Sequence, residues 1–149
     1  MGLVVQKFGG SSVGSVERIQ RVAQRVAATR RSGHEVVAVV SAMAGETNRL
    51  LELGRSFGSQ ASSREMDVLL ATGEQVSAAL VAIALQQEGL GARSLLGHQL
   101  RLLTDGAHQK ARIRTVDRDR LLAPLREGEV AVVAGFQGVD ANDNITTLG

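Results

Sequence analysis

A lysine followed closely by two adjacent glycines is the first place in the 149-residue chain where residue types and spacing suggest chemistry. Lys7 lies at the end of an apolar run, and Gly9 and Gly10 follow directly after Phe8. Glycines let the backbone approach a ligand closely, and successive backbone N–H groups that open a helix bind anions. The segment KFGGSS therefore predicts a phosphate site. The alternative for Lys7 is a side chain that simply reaches solvent from the strand end.

The two common nucleotide phosphate motifs do not fit this segment. Gly9 and Gly14 have the spacing of P-loop glycines, but Ser15 stands where that motif requires a lysine, and the chain contains no G-x-G-x-x-G. The lysine precedes the glycines instead, and it is one of two lysines beside fifteen arginines. A compact ammonium fits between the nucleophile and the leaving oxygen of a phosphoryl group more easily than a guanidinium does.

Two further polar clusters adjoin apolar segments. Ser41, Thr47 and Asn48 follow the run EVVAVV, where they either bind polar groups of a substrate or cap the next helix. Glu74 is predicted at the start of a helix, because Gly73 is expected to separate two helices or to kink one. There the carboxylate either complements the helix dipole or binds a substrate ammonium. Spacing alone does not choose between these alternatives.

The sequence gives little reason to expect a metal site or a disulfide bond. The chain has no cysteine, which excludes disulfides and thiolate metal sites. His34, His98 and His108 share no metal-ligand spacing, so we expect them at the surface. Asp105 is expected to form a turn rather than to act as a base. No metal site on the protein is predicted.

The elements that must position these residues alternate between strand and helix. Helical spacing after Ser15 ends near Gly33, and another helix is expected from a cap at Asp117 or Asp119 to Gly128, despite an internal proline. The nearly continuous apolar runs EVVAVVSAM and EVAVVAGFQGVD are typical of strands buried on both faces of a parallel sheet. We predict one domain over residues 1–149, a three-layer αβα sandwich with a mainly parallel central sheet. Ligands are expected beyond the carboxyl ends of its strands.

The composition argues against two classes of partner, nucleic acids and membranes. The formal charge is +2 with a pI near 9.9, but the arginines are mixed with acidic residues and the chain has only three aromatic residues, so no nucleic-acid surface is predicted. The N-terminus does not have the pattern of a signal peptide, and the apolar stretches are expected to fall short of a membrane span. A cytoplasmic protein without a membrane partner is the expectation.

Five segments taken together resemble a known family. They occur in the order and at about the spacing found in the amino-terminal part of aspartate kinases, members of the amino acid kinase superfamily, and they cover essentially the whole chain. These segments are VQKFGGSSV, AVVSAMAGETN, ATGEQVS, LTDGAHQKARI and VAGFQGVDANDNITTLG.

The resemblance implies an activity and a set of roles. The activity is phosphorylation of L-aspartate by MgATP to 4-phospho-L-aspartate, which leads towards lysine, threonine, methionine and diaminopimelate, with Mg²⁺ carried by the nucleotide. Lys7 matches the family lysine that stabilises the transferring phosphoryl group. The other matches are a phosphate-binding loop at Phe8, Gly9 and Gly10, a residue near the nucleotide phosphates at Ser41, an aspartate-binding loop at Thr47, Asn48 and Arg49, and a contact to the substrate amino group at Glu74.

Departures from the family pattern leave alternatives open. Ser11 stands where the family commonly has threonine, and it keeps the hydroxyl. After TTLG the family continues with a substrate-binding loop, a nucleotide-binding half and regulatory ACT domains, so we expect the 149 residues alone to be inactive and to form a homo-oligomer or to associate with the remainder of the enzyme. The alternatives are another amino acid kinase and a non-catalytic module.

Overall fold

A computed structural model describes residues 2–149, which form eight strands and four helices. In chain order the elements are β1 (Leu3–Phe8), α1 (Val16–Arg31), β2 (Glu35–Val40), α2 (Glu46–Arg55), α3 (Ser63–Gln87), β3 (Ala92–Leu95), β4 (Leu103–Thr104), β5 (Ile113–Thr115), α4 (Arg118–Arg126), β6 (Val130–Ala134), β7 (Gln137–Val139) and β8 (Ile145–Thr147).

The larger sheet is wholly parallel and has the strand order β1-β2-β6-β3. Every residue of β6 is buried, as expected for a central strand covered on both faces. One face packs on α1 and α3 through a large apolar cluster that includes Val26, Val81 and Val132. The other face packs on α4 through a smaller cluster that includes Leu125 and Val133. The predicted three-layer sandwich with a parallel central sheet is confirmed.

A second sheet of four short strands has the order β5-β4-β7-β8. Its pairs are mixed: β4 runs antiparallel to β5 and parallel to β7, and β7 runs antiparallel to β8. The segment EVAVVAGFQGVD, expected to be one buried strand that ends in glycines, instead forms two strands, β6 and β7. The chain turns between β6 and β7 at Phe136, whose φ of +68° lies in the left-handed region and interrupts the strand.

Helix α3 is continuous from Ser63 to Gln87, so the prediction that Gly73 separates two helices is wrong. A Cβ on Gly73 would lie 2.9 Å from the Cβ of Ala42. The absence of a side chain at Gly73 therefore lets α3 lie close to the segment after β2. This packing outweighs the low helix propensity of glycine.

Helix α3 also corrects the expectation that no apolar segment reaches membrane-spanning length. By length and composition alone it qualifies, with a mean hydropathy of 1.8 over its most apolar window. Half of that window is buried inside the described fold, and the buried part includes Glu74. Helix α3 is therefore a core helix, which packs on the sheet on one side and faces solvent on the other.

The ends of α1 and α4 follow the predicted signals. The Ser15 side chain caps α1 by accepting from the Arg18 N–H, and Gly33 follows that helix with a φ of +102°. Asp117 caps α4, and Gly128, with a φ of +80°, follows its last turn.

Candidate functional site

A hollow of about 340 Å³ opens where β1, β2 and β6 end, and we call it the strand-end hollow. This is the edge of a parallel sheet at which ligands were expected. The hollow brings together five of the residues singled out in the sequence. Its lining consists of Gly10, Ser41, Ala42, Met43, Ala44, Gly45, Thr47, Asn48, Glu74 and Phe136.

Glu74 is a buried carboxylate with one unpartnered oxygen. The residue is 3% exposed and lies in the middle of α3, so the helix-dipole alternative is wrong. Its Oε1 accepts from the Ala42 N–H at 3.2 Å, while Oε2 has no hydrogen-bond partner within residues 2–149. Burial raises the pKa of Glu74 to about 7, against the opposing effect of backbone hydrogen bonds including that from Ala42. The hollow therefore offers an acceptor to a cationic donor.

The start of α2 supplies donors to the same hollow. Gly45 is the N-cap residue, with a φ of +81° and no side-chain capping bond, so the expectation that Thr47 or Asn48 caps the helix is wrong. The first N–H of the helix ladder is that of Arg49, which donates to the Gly45 carbonyl at 3.0 Å. In the described residues the N–H groups of Thr47 and Asn48 have no acceptor. A free helix N-terminus favours a carboxylate or a phosphate.

The glycine loop lies beside these donors. A Cβ on Gly10 would lie 3.0 Å from the Ala42 carbonyl oxygen, and the Gly10 carbonyl accepts from the Ala44 N–H at 3.1 Å. Gly9 faces open space, with no atom within 4 Å of an added Cβ. The backbone N–H groups of Gly9, Gly10 and Ser11 have no acceptor within residues 2–149. Such successive free N–H groups form an anion-binding concavity.

Lys7 is exposed and does not line the strand-end hollow. Its neighbours show which way it points: Phe8 lies in the apolar cluster against α1 and α3, and Gln6 donates to the Thr29 hydroxyl on α1. Side chains alternate along a strand, so Lys7 projects from the opposite face of the sheet, beside Val39 on β2. The ammonium therefore lies near the carboxyl edge of the sheet without entering the hollow.

Phe8, Gly9 and Arg49, which were also predicted as site residues, lie outside the lining as well. Phe8 is 7% exposed, and its side chain packs in the core. Arg49 is exposed, and its guanidinium makes a two-point contact with Glu46, with Nε 3.0 Å from Oε2 and Nη2 2.6 Å from Oε1. That contact lowers the pKa of the Glu46 carboxyl. Arg49 would have to release Glu46 before it contacted a substrate.

Sequence reasoning missed Phe136 and Asp67. Phe136 lines the hollow with a φ of +68°, and the only available signal is its place between two glycines after an apolar run. Asp67 is fully buried on α3, where Oδ1 accepts from the Thr147 hydroxyl at 2.7 Å and Oδ2 lies 2.7 Å from Nδ1 of His108. An acidic residue at an inward helical position, seven residues before Glu74, was the missed signal.

The other polar residues singled out in the sequence have structural roles or lie at the surface. His98 is exposed, and Nδ1 of His34 accepts from the Gly2 N–H at 3.2 Å. Oδ1 of Asp105 accepts from the Ala107 and Arg112 N–H groups, which confirms the predicted turn. Residues 2–149 contain no group of three or more His, Cys, Asp or Glu side chains placed to hold a metal ion.

Comparison with known proteins gives consistent matches. The model of the amino acid kinase family matches residues 2–149. Over 149 residues the chain is 55% identical to an aspartate kinase of Stutzerimonas stutzeri, 56% identical to an aspartokinase of Pseudomonas aeruginosa and 50% identical to aspartokinase 2 of Bacillus subtilis. All of the chain is matched in each case, and it spans 36% of each relative's length.

Solved structures share the fold. The crystal structure of an aspartate kinase from Synechocystis has a TM-score of 0.83 at 48% identity, covering 99% of this chain and 24% of that one. Aspartokinase III of E. coli, in complex with aspartate and ADP, also has a TM-score of 0.83, at 23% identity, covering 99% of this chain and 43% of that one. At that identity the likeness concerns the fold alone.

Proposed function

The chain belongs to the amino acid kinase family, and we propose that it forms the amino acid and phosphate binding part of an aspartate kinase. The reaction is transfer of the terminal phosphoryl group of ATP to the side-chain carboxylate of L-aspartate, giving 4-phospho-L-aspartate. The observation that carries the proposal is the buried Glu74 oxygen without a partner, in the hollow that also holds the uncapped start of α2. The relatives named as aspartate kinases support it.

The strand-end hollow suits a zwitterion. Glu74 accepts hydrogen bonds from the ammonium group of the amino acid, which satisfies Oε2. The N–H groups of Thr47 and Asn48 donate to a carboxylate of the same molecule, assisted by the helix dipole. An acceptor and two donors in the lining of one hollow thus distinguish an amino acid from a simple dicarboxylate.

The glycine loop suits the phosphate end of a nucleotide. Gly9 leaves open space, and the free N–H groups of Gly9, Gly10 and Ser11 donate to phosphate oxygens. Ser41 adds a hydroxyl at the end of β2. When bound, ATP supplies the phosphoryl group and carries Mg²⁺, which neutralises part of the phosphate charge.

Charge neutralisation and positioning suffice for this chemistry. The side-chain carboxylate of aspartate is ionised at neutral pH, so no general base is needed on the protein. Lys7 holds a positive charge at the carboxyl edge of the sheet, where it stabilises negative charge on the phosphoryl oxygens as transfer proceeds. The glycine loop and Glu74 hold the two reactants at neighbouring positions.

Ligand discrimination tests the amino acid site directly. We expect the chain to bind L-aspartate more tightly than succinate, which has both carboxylates but no ammonium, in calorimetric titrations. Glu74→Gln should abolish this preference, whereas Glu52→Gln, at an exposed position on α2, should keep it. Equal affinity for the two ligands in the unchanged chain would contradict the role of Glu74.

A chimera tests the kinase reaction. Residues 1–149 would replace the matching 36% of the Pseudomonas aeruginosa relative, and ADP formation would be measured with aspartate, glutamate and other amino acids. We expect turnover with aspartate, and Lys7→Ala should lower kcat by a factor of roughly 100 or more. Lys110→Ala changes the other, exposed lysine and should leave kcat unchanged. Near-normal turnover in Lys7→Ala would reject its role.

We also propose that the protein acts in the cytoplasm and associates with a second copy or with further kinase polypeptide. The support is the face of β1 that α4 does not cover, where Leu3 is 48% and Val5 is 62% exposed. Apolar side chains on an edge strand favour association. Sedimentation velocity should show self-association that Val5→Lys weakens, and a monomer at all concentrations would exclude the second copy.

A further inference from the structure

A second concave site lies on the other side of the glycine loop, and it shares no lining residue with the strand-end hollow. Its volume is about 260 Å³, and we call it the arginine pocket. The lining consists of Phe8, Ser11, Ser12, Arg18, Arg21, Val22 and Arg25. Of its lining, only Ser11 has a role in the function proposed above, through its backbone N–H, and the three arginines have none.

Three guanidinium groups reach the pocket from one face of α1. Arg18, Arg21 and Arg25 stand three and four residues apart, a spacing that places them on neighbouring turns of the same helix face. Arg18 is held in place because its Nη1 donates to the Ser11 carbonyl at 2.8 Å. The guanidinium groups of Arg21 and Arg25 have no hydrogen-bond or ion-pair partner between positions 2 and 149, although the Arg25 backbone carbonyl accepts from the Thr29 hydroxyl.

The pocket lacks a compensating negative charge. None of its lining residues is acidic, and Glu17, the one acidic residue of α1, is not part of the lining. The hydroxyls of Ser11 and Ser12 add neutral donors on the loop side. Elsewhere most surface arginines have partners, as Arg93 does with Glu127 and Glu129. Three uncompensated guanidinium groups around one concavity favour a ligand with more than one negative charge.

We propose that the arginine pocket binds a small anion that bears two or more linked phosphoryl groups. Guanidinium groups present forked donors that match phosphate oxygens at two points, and three of them balance a multiply charged anion better than a single carboxylate. This inference does not depend on the amino acid kinase reaction, because its residues are separate from Glu74 and from the start of α2.

The pocket suits a small anion better than a nucleic acid. Single-stranded nucleic acids bind along extended grooves in which several aromatic side chains stack on bases. Here the concavity has a volume of only about 260 Å³, and Phe8, its one aromatic residue, is 7% exposed and packs in the core. A stacking platform is therefore absent from this pocket.

Titration with inorganic pyrophosphate tests the proposal. The chain is titrated calorimetrically without divalent metal at low ionic strength, and we expect binding that weakens steeply as salt is added. The double variant Arg21→Ala/Arg25→Ala should bind roughly tenfold more weakly or worse, since two charged contacts are lost. Both side chains are exposed and unpartnered, so its thermal midpoint should stay close to that of the unchanged chain.

Two controls make the outcome decisive. Arg112→Ala/Arg114→Ala removes the same charge from the exposed segment around β5 and should leave pyrophosphate affinity unchanged. Lys110→Ala should also leave it unchanged, because Lys110 is exposed and does not line the pocket. Absence of pyrophosphate binding, an equal loss in either control, or retention in the Arg21/Arg25 variant would overturn the proposal. Tighter binding of a single-stranded oligonucleotide through the same two arginines would show that the pocket binds nucleic acid rather than a small anion.

Discussion

Glu74 carries a cost in stability that follows from its burial. The unfolded chain titrates this carboxyl near 4.5, whereas burial raises its pKa to about 7 in the folded protein. The folded state therefore binds a proton more readily than the unfolded state between these values. As pH rises from 4.5 towards 7, the free energy of unfolding falls, and the whole cost is present above pH 7.

Glu74→Gln should remove this cost because a neutral amide needs no ionisation. Each pKa unit corresponds to about 1.4 kcal/mol, so the variant should be about 3 kcal/mol more stable than the unchanged chain at pH 8. The difference should vanish near pH 4.5. Urea unfolding at pH 4.5, 6 and 8 measures it, and the exposed change Glu52→Gln should show no such pH dependence. A constant difference at all three pH values would contradict the raised pKa.

The same titration should control ligand binding. An ammonium group binds the ionised carboxylate, so L-aspartate affinity should rise with pH up to about 7 and then level off. Below pH 7 the dissociation constant should increase by roughly tenfold for each pH unit. Calorimetric titrations at pH 5.5, 7 and 8.5 measure this. An affinity that does not change over this range would show that Glu74 does not contact the ammonium.

At the scale of the elements, the sequence predicts which loops meet but not how α3 is built. Parallel strands end at the same edge, so the predicted strands before Gly10 and Ser41 place these residues together. The unbroken α3 could not be predicted, because an internal glycine normally weakens a helix and only the proximity of Ala42 explains this one. Glu74 is buried because it lies in the middle of this continuous helix. The sequence, which placed Glu74 at a helix start, therefore did not predict its burial.

Gly73→Ala tests the close approach between α3 and the segment after β2. The added methyl gains up to about 1 kcal/mol of helix propensity but would lie 2.9 Å from the Ala42 Cβ, and overpacking costs typically about 1–3 kcal/mol. We expect a net loss of stability and weaker aspartate binding, since the Ala42 N–H donates to Glu74. Urea unfolding and titration measure the two effects.

Gly54→Ala provides the matched control within a neighbouring helix. Its added methyl would meet the flexible end of the Met66 side chain, which can move aside, rather than a Cβ fixed to the backbone. We expect its stability to lie within about 1 kcal/mol of the unchanged chain. Equal losses in the two variants would show that Gly73 has no special packing role.

At the scale of the whole molecule, a buried carboxylate joins the two sheets. Asp67 projects from α3, which covers the larger sheet, and accepts from the Thr147 N–H and hydroxyl on β8. It also accepts from the Gln109 N–H in the loop after β4. The sequence predicted the larger sheet because its strands have local apolar patterns. It did not place β4, β5, β7 and β8 in a second sheet, because strands of two or three residues carry little pattern and because the Asp67–Thr147 contact joins residues 80 positions apart.

Asp67→Asn should loosen the second sheet selectively. An amide offers one oxygen where the carboxylate offers two, so Thr147, Gln109 and His108 compete for it, and the free energy of unfolding should fall by about 2–4 kcal/mol. Asp105→Asn is the control, because both of its backbone donors reach Oδ1, which an asparagine retains. Hydrogen exchange should speed up in β7 and β8 before it does in β2 and β6. Uniform acceleration in all four strands would instead mean that the two sheets unfold as one unit, and that Asp67 stabilises the whole fold rather than the junction.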